Sequence, residues 1–159
     1  MTDAISTCPM CSRWEDDSDL RIIELKHSYV ILNRDQYFTG YTLLFLKQHV
    51  TELFHLEQKL RFELVEEINQ VAEALFKAFQ PDKINYELLG NMVPHMHWHL
   101  VPRFTSDPLW PRPIWSDGET SACRLDTTTP PYRYGVLTGG PDVLDIRQDL
   151  RVGTQATVL

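Results

Sequence analysis

The stretch that decides the fold is His95-Met96-His97-Trp98-His99-Leu100-Val101-Pro102, in which three histidines alternate with apolar residues. A period of two is the side-chain period of a β-strand, so His95, His97 and His99 share one face while the apolar residues between them take the other. Alternate residues lie about 7 Å apart along a strand, close enough to serve one site. The stretch therefore predicts a strand with one face for packing and one for chemistry.

Three interpretations of this row of histidines are open at this point. A half-buried strand with packed or solvated histidines is plausible for a single histidine and poor for three in register. A metal site would use two or three of them, since neutral imidazole is a common metal ligand. Alternatively, one imidazole is a nucleophile whose neighbours orient it and bind the charge that develops. The residues outside the strand are needed to choose among these three interpretations.

The size and charge of the chain limit the classes of protein it can belong to. Its 159 residues suffice for one domain whose core needs no disulfide framework. With 15 basic and 22 acidic side chains the formal net charge is −7, the wrong sign for binding nucleic acid or anionic lipid through the overall field. One cleft can still focus donors on a small phosphorylated ligand. We find no signal peptide and no apolar run near the roughly 20 residues that span a bilayer, so a cytoplasmic protein is expected.

The residues before the histidine row predict a small antiparallel sheet with one helix. Apolar residues recur every three or four positions over 56–79, which indicates a long amphipathic helix that ends before Pro81. The link 90–94 into the histidine row is too short for a parallel crossover. The expected class is therefore α+β, a mostly antiparallel five-stranded sheet with one long helix. The four further strands are expected at residues 21–25, 28–33, 41–46 and 84–89.

Beyond Pro102 the composition changes. Residues 107–115 contain three prolines and two tryptophans, too much proline for a central strand or helix, so a rigid loop is expected. Residues 116–131 are polar and rich in threonine, and residues 141–152 fit one short helix. We therefore expect a domain over residues 1–115 and an irregular C-terminal extension over 116–159.

A second cluster of chemically active residues starts with the C-x-x-C pair Cys8 and Cys11. Such a pair can be two reduced thiols, a redox pair or half of a zinc site. The redox interpretation requires a following βαβ pattern, whereas the strands expected at 21–25 and 28–33 form a hairpin that turns near Lys26 and His27. Zinc needs two more ligands, and His49 directly follows the third strand. Spacing therefore favours Cys8, Cys11, His49 and one of the three alternating histidines as a tetrahedral set.

These residues together resemble the histidine-triad superfamily of nucleotidyl hydrolases and transferases. The family strand H-x-H-x-H-x-x-P-R is present as residues 95–103. Leu32-Asn33-Arg34, Gly40-Tyr41-Thr42-Leu43 and Lys47-Gln48-His49 are similar, in order and spacing, to the family stretches L-[DN]-x, G-H-x-L and P-K-x-H. The resemblance runs from Cys8 to about Pro102 and, more weakly, to Trp115.

The resemblance implies roles for most of these residues. His97 would be the nucleophile that takes a nucleoside monophosphate from the substrate, and His99 would bind phosphate oxygens. Asn33 would bond the ribose hydroxyls, and Gly90 and Asn91 would stand near the α-phosphate. Zinc-containing members use four ligands, which correspond here to Cys8, Cys11, His49 and His95.

Other residues near the strand extend this expected site. Arg103 is a reasonable donor for phosphate oxygens. Trp110 and Trp115 follow the strand closely enough to stack on a purine, although packing as a cap on the sheet or a dimer interface is an equal alternative. A homodimer is expected as in most proteins of the family, since bare strand edges invite pairing.

Two departures from the family pattern bear on function. Tyr41 replaces the histidine of G-H-x-L, so the support that this histidine gives is lost or supplied differently. The link 90–94 is shorter than the common family loop N-x-G-x-x-G-Q, which touches the leaving group. Together with the loop 107–115, it resembles a bacterial branch described as diadenosine tetraphosphate hydrolase-like.

Three functions are open on the sequence. The first is a hydrolase that forms a nucleotidyl-His97 intermediate from a dinucleoside polyphosphate or a nucleoside phosphoramidate. The second is a nucleotidyltransferase or phosphorylase that passes the nucleotide to an acceptor other than water. The third, a nucleotide-binding protein without turnover, is disfavoured by the intact row of histidines.

Overall fold

Five strands form one antiparallel sheet in the computed structural model, which describes residues 8–116. The strands are β1 Arg21–Glu24, β2 Ser28–Leu32, β3 Thr42–Leu46, β4 Lys83–Leu88 and β5 His97–Arg103. Across the sheet their order is β1-β2-β3-β5-β4, and every neighbouring pair is antiparallel. The expected α+β class with a five-stranded antiparallel sheet is confirmed.

The histidine strand β5 lies inside the sheet, between β3 and β4. In register, His97 lies beside Phe45 of β3, and His99 lies between Leu43 of β3 and Glu87 of β4. Side chains of paired residues share a face, so Glu87 is on the same face as the histidines. A carboxylate therefore belongs to the surroundings of His99.

The strand begins two residues later than its alternation predicted, at His97 instead of His95. The backbone of Met96 explains the difference. Its N–H donates to the Val50 carbonyl at 2.8 Å, outside the sheet, while its carbonyl still accepts from the Leu46 N–H at 3.2 Å. His95 is thus held next to the segment that follows β3.

The long helix α2, Gln58–Phe79, covers the face of the sheet opposite His97. Its buried Glu67 accepts a hydrogen bond from the Ser28 hydroxyl at 2.5 Å, and Ser28 lies on the face that does not carry the histidines. The helix ends at Phe79, before Pro81 as predicted, and its C-cap Gln80 has a left-handed φ of +49°. Its core-facing residues include Leu64, Ile68, Val71, Ala72 and Leu75.

A short helix on the histidine side, α1 Pro9–Asp16, was not predicted. Its Trp14 ring stacks on Tyr29 with 4.5 Å between centroids and 14° between planes. Tyr29 is paired with Phe45, which shares the histidine face, so α1 lies over that face. Met10 is its one buried residue, which leaves too little periodicity for an eight-residue helix to be recognised.

After β5 the chain forms turns up to residue 116, as the proline content predicted. Leu109 and Ile114 are buried, which attaches this loop to the core. The Thr-rich stretch beyond residue 116 and the helix expected at 141–152 lie outside the described residues. Within residues 8–116, no helix is long and apolar enough to cross a membrane.

Candidate active site and metal-binding group

His97 is buried at the start of β5, with one ring nitrogen fixed by the backbone. Its Nδ1–H donates to the His95 carbonyl at 2.6 Å. A neutral imidazole carries one proton, so Nε2 keeps a free lone pair. Burial lowers the pKa of His97, which keeps the ring neutral at physiological pH. The strand therefore presents a neutral, oriented nitrogen.

His99 lies beside His97, with 4.9 Å between ring centroids and 66° between planes. Its Nδ1 is hydrogen-bonded to the hydroxyl of Tyr41. Burial is the main cause that lowers the pKa of His99 to about 4, with the neighbouring His97 and Arg13 adding to it. Both histidines are therefore neutral at pH 7.

Trp115 reaches the same place from the loop after β5. Its ring packs edge-on against His99, 5.3 Å between centroids, and its Nε1–H donates to the Glu87 carboxylate. Burial raises the pKa of Glu87. Trp110, in contrast, is 37% exposed, and among the described residues its ring does not stack on His97 or His99. The structure thus brings one of the two predicted tryptophans to the histidines.

Asn33 and the link after β4 lie beside different residues of the candidate site. The Asn33 N–H donates to the Tyr41 carbonyl at 2.9 Å, which places this residue next to the partner of His99. Gly90, with φ +84°, and Asn91 line a pocket of about 280 Å³ together with His95. The other residues of the pocket come from 51–53, 88–89, 94 and 96.

Arg103 is buried and binds the loop that follows β5. Its side chain is buried, and its Nε and Nη1 donate to Asp107 at 2.8 Å and Asn85 at 3.0 Å. Nη1 also donates to the Arg112 carbonyl at 3.1 Å, and the guanidinium lies over the Phe38 ring. These contacts hold the loop after β5. The third guanidinium nitrogen, Nη2, is buried without a hydrogen-bond partner among the described residues. The expected role of Arg103 as a phosphate donor stays a prediction.

A charged cluster that sequence reasoning missed fixes the end of α1. Asp17 is 1% exposed and accepts a hydrogen bond from Arg13 Nε at 2.6 Å and another from Arg34. The positive charge of Arg13 contributes to the lowered pKa of both His97 and His99. Arg13 and Asp17 have the i, i+4 spacing of a helical pair, but α1 was not predicted. Arg34 lies 17 residues beyond Asp17 and meets it through the fold.

Two cysteines and two histidines converge at the other end of α1. The ligand atoms of Cys8, Cys11, His49 and His95 all lie within 4.8 Å of one another. Cys11 Sγ is 3.3 Å from His49 Nδ1 and 3.5 Å from His95 Nδ1, and Cys8 Sγ is 3.6 Å from His95 Nδ1. In a tetrahedral zinc site the bond lengths require sulfur and nitrogen ligands to be about 3.6 Å apart. The four side chains therefore fit a zinc-sized ion.

Neighbouring groups set the protonation of these four residues, which are called the metal-binding group below. His95 Nε2–H donates to the Leu46 carbonyl at 2.8 Å, which leaves the lone pair of Nδ1 directed at the sulfurs. Burial, followed by the hydrogen bond and charge of Cys8, raises the pKa of Cys11 to about 11. A divalent cation would reverse that effect, since it stabilises both thiolates.

The family is shown by comparison with known proteins. A model of the HIT domain matches residues 15–106, more than half of the chain. The chain belongs to the HIT domain family. The match contains β1 to β5 and α2, and therefore every strand that forms the candidate site of this HIT protein.

Individual relatives agree with this assignment. Protein hit of Bacillus subtilis (strain 168) is 26% identical over 94 residues, which cover 56% of this chain and 65% of that protein, so the chain spans just under two thirds of its length. A crystal structure of a histidine triad protein from Bradyrhizobium japonicum has a TM-score of 0.64 at 28% identity, covering 87% of this chain and 92% of that one. A histidine triad (HIT) protein from Sinorhizobium meliloti 1021 has a TM-score of 0.61 at 31% identity, covering 73% and 85%.

Proposed function

We propose that this HIT protein is a nucleotidyl hydrolase that forms a covalent intermediate on His97. The observation that carries the proposal is the 2.6 Å hydrogen bond from His97 Nδ1–H to the His95 carbonyl. It assigns the proton to Nδ1 and leaves Nε2 unprotonated and fixed in direction. Attack on phosphorus requires a neutral, oriented nitrogen of this kind.

The proposed reaction balances in two steps. First, His97 Nε2 attacks the α-phosphorus of a nucleotide; the N–P bond forms, and the bond to the leaving group breaks with its electron pair on that group. Then a water oxygen attacks the same phosphorus, the N–P bond breaks, and the nucleoside monophosphate departs while the water proton goes to solvent. His99 and the backbone amides near Gly90 are the proposed donors to the equatorial phosphoryl oxygens.

The nucleotide itself is proposed to lie against the residues that surround His99. Asn33, next to Tyr41, is assigned to the ribose hydroxyls. Asn91 and Gly90 are assigned to the α-phosphate side. Trp115 supports a neighbouring position for the base, because its ring is already held at the edge of His99. An aromatic face of this size stacks on a purine with about 1 to 3 kcal/mol.

We further propose that the metal-binding group holds a structural zinc ion. Thiolate and imidazole are the ligands that zinc prefers, and two thiolates balance its charge. When bound, zinc would link α1 to the start of β5 and stabilise the fold, and the four protein ligands leave no position for water. Cys8 and Cys11 would hold it from α1 and the residue before it, and His49 and His95 from the sheet side.

The proposed substrate is a dinucleoside polyphosphate of the diadenosine tetraphosphate type or a nucleoside phosphoramidate. Both present an α-phosphorus with a leaving group that can be displaced by imidazole. A transferase or phosphorylase shares the first step and differs only in the acceptor of the second. Assays with and without an added acceptor therefore separate the two functions.

The experiment that tests this function is a substrate panel run on matched variants. Diadenosine tetraphosphate, adenosine phosphoramidate and a nucleoside diphosphate sugar are incubated with wild type, His97→Asn and the control His55→Asn, each with and without inorganic phosphate. His55 is exposed and lies outside the site. We expect wild type and the control to release nucleoside monophosphate and His97→Asn to release none. Full activity of His97→Asn would overturn the covalent mechanism.

We also propose that the protein forms a homodimer. β4 is an edge strand of the sheet. Apolar side chains are exposed on it and just after it, at Tyr86, Leu88 and Leu89, 40–51% exposed. Strand edges that carry exposed apolar residues favour pairing with a second copy.

A further inference from the structure

Tyr41 makes a contact that departs from the family sequence pattern. Its side chain is 2% exposed, and its hydroxyl is hydrogen-bonded to His99 Nδ1. The two rings lie 5.8 Å apart at 47° between planes. Tyr41 stands where the pattern G-H-x-L has a histidine, so the change of residue type acts directly on the third histidine of the row.

The direction of this hydrogen bond follows from the surroundings of the hydroxyl. Burial, followed by the carboxylates of Glu87 and Asp35, raises the pKa of Tyr41, so the phenol keeps its proton. A buried hydroxyl proton needs an acceptor. Among residues 8–116, the structure gives this hydroxyl one hydrogen-bond partner, His99 Nδ1. Tyr41 is therefore the donor and Nδ1 the acceptor.

We propose that Tyr41 is a positioning residue that fixes neutral His99 in the tautomer with its proton on Nε2. A neutral imidazole that accepts at Nδ1 must carry its proton on Nε2. His99 is then a hydrogen-bond donor with a defined direction beside the His97 ring. Its use on a phosphoryl oxygen rests on the proposed function, whereas the tautomer itself does not.

The other neighbours of His99 hold its ring and leave the choice of tautomer to Tyr41. His97 and Trp115 pack against it edge-on at 4.9 and 5.3 Å. The titratable and charged groups around it are His97, Arg13 of α1 and Glu87 of β4, and the Glu87 carboxylate accepts from Trp115. None of these contacts gives His99 Nδ1 another hydrogen-bond donor within the described residues.

The presence of Tyr41 instead of the family histidine changes how His99 responds to pH. An imidazole at this position would exchange its own proton near its ordinary pKa of about 6.5, whereas a phenol titrates near 10 or above. Tyr41 thus keeps the donor state of His99 constant across neutral pH. A histidine in its place would make that state depend on its own protonation and tautomer.

Histidine side-chain NMR tests this proposal without any substrate. Protein with ¹⁵N-labelled histidines is measured as wild type, Tyr41→Phe and the control Tyr29→Phe, with the His99 signals assigned from a His99→Gln variant. Tyr29→Phe removes a hydroxyl from the same sheet face at a residue two strands from His99. We expect one Nε2–H tautomer for His99 in wild type and control, and a mixture of both tautomers in Tyr41→Phe.

A wild-type spectrum with the His99 proton on Nδ1 would overturn the proposal even if the variant failed to fold. An unchanged tautomer in folded Tyr41→Phe would also overturn it. If the protein turns over nucleotides, Tyr41→Phe is expected to lower kcat about tenfold at constant KM, the size of one misdirected hydrogen bond. Absence of turnover in wild type would refute the proposed function alone, because the tautomer is read independently.

Discussion

Acidification should destabilise this protein through His99 in particular, and a variant without that imidazole should lose less stability. The pKa of His99 is lowered from 6.5 to about 4 in the folded state. Between these values the unfolded chain binds a proton that the folded chain does not, so stability is full above pH 6.5 and falls as the pH decreases toward 4. Each pKa unit corresponds to about 1.4 kcal/mol, which gives a loss of about 3 kcal/mol from this residue.

Urea unfolding of wild type and His99→Gln at several values between about pH 7.5 and 4.5 measures this contribution. Glutamine keeps a polar side chain on the strand and does not titrate. Both proteins retain the same metal-binding group, so its own acid sensitivity cancels in the comparison. We expect the stability difference between them to change by about 3 kcal/mol across this range. Parallel curves would refute the reasoning, because they would show that His99 binds its proton equally in both states.

The other predictions concern the metal, the tryptophans and the assembly. Chelation should lower the Tm of wild type and of the control Ser12→Ala, and should leave the Tm of Cys11→Ser unchanged because that variant already lacks a ligand. The zinc proposal would be contradicted if the purified protein contained no metal and a chelator did not change its Tm. Trp115→Ala should raise KM by about tenfold or more while Trp110→Ala leaves it unchanged, since one stacked ring contributes about 1 to 3 kcal/mol; equal KM values in both folded variants would indicate a packing role. Light scattering should give twice the chain mass of 18.5 kDa, and a monomer mass at micromolar concentrations would refute the dimer.

The elements that could be predicted from the sequence are those whose residue pattern repeats over many positions. The alternation of β5 and the period of α2 extend over enough residues to identify both elements. The short link 90–94 predicted that β4 and β5 pair antiparallel, as they do. The start of β5 differed because Val50 takes the hydrogen bond of Met96, a partner that the periodicity does not contain. α1 was missed because long-range contacts stabilise it, among them the Trp14 stack on Tyr29.

In the candidate site, too, residues in local motifs were predicted and residues that depend on long-range contacts were missed. Spacing and family resemblance identified the histidines and the four candidate metal ligands, which lie in recognisable motifs. Glu87 and Asp17 were missed because each meets its partner through the fold: Trp115 is 28 residues from Glu87, and Arg34 is 17 residues from Asp17. The ion pair of Arg103 could not be predicted, because the turn after β5 places its partner, the half-buried carboxylate of Asp107.

The covalent intermediate on His97 is the central claim, and mass spectrometry of the trapped protein and its peptides tests it most directly. Wild type mixed briefly with diadenosine tetraphosphate, quenched without acid and digested, is compared with His97→Asn and with His55→Asn. We predict an added adenylate that is lost on acid treatment, maps to His97, and is present in His55→Asn but absent from His97→Asn. Rapid turnover in wild type with no adduct at any quench time, together with full activity of His97→Asn, would contradict the account.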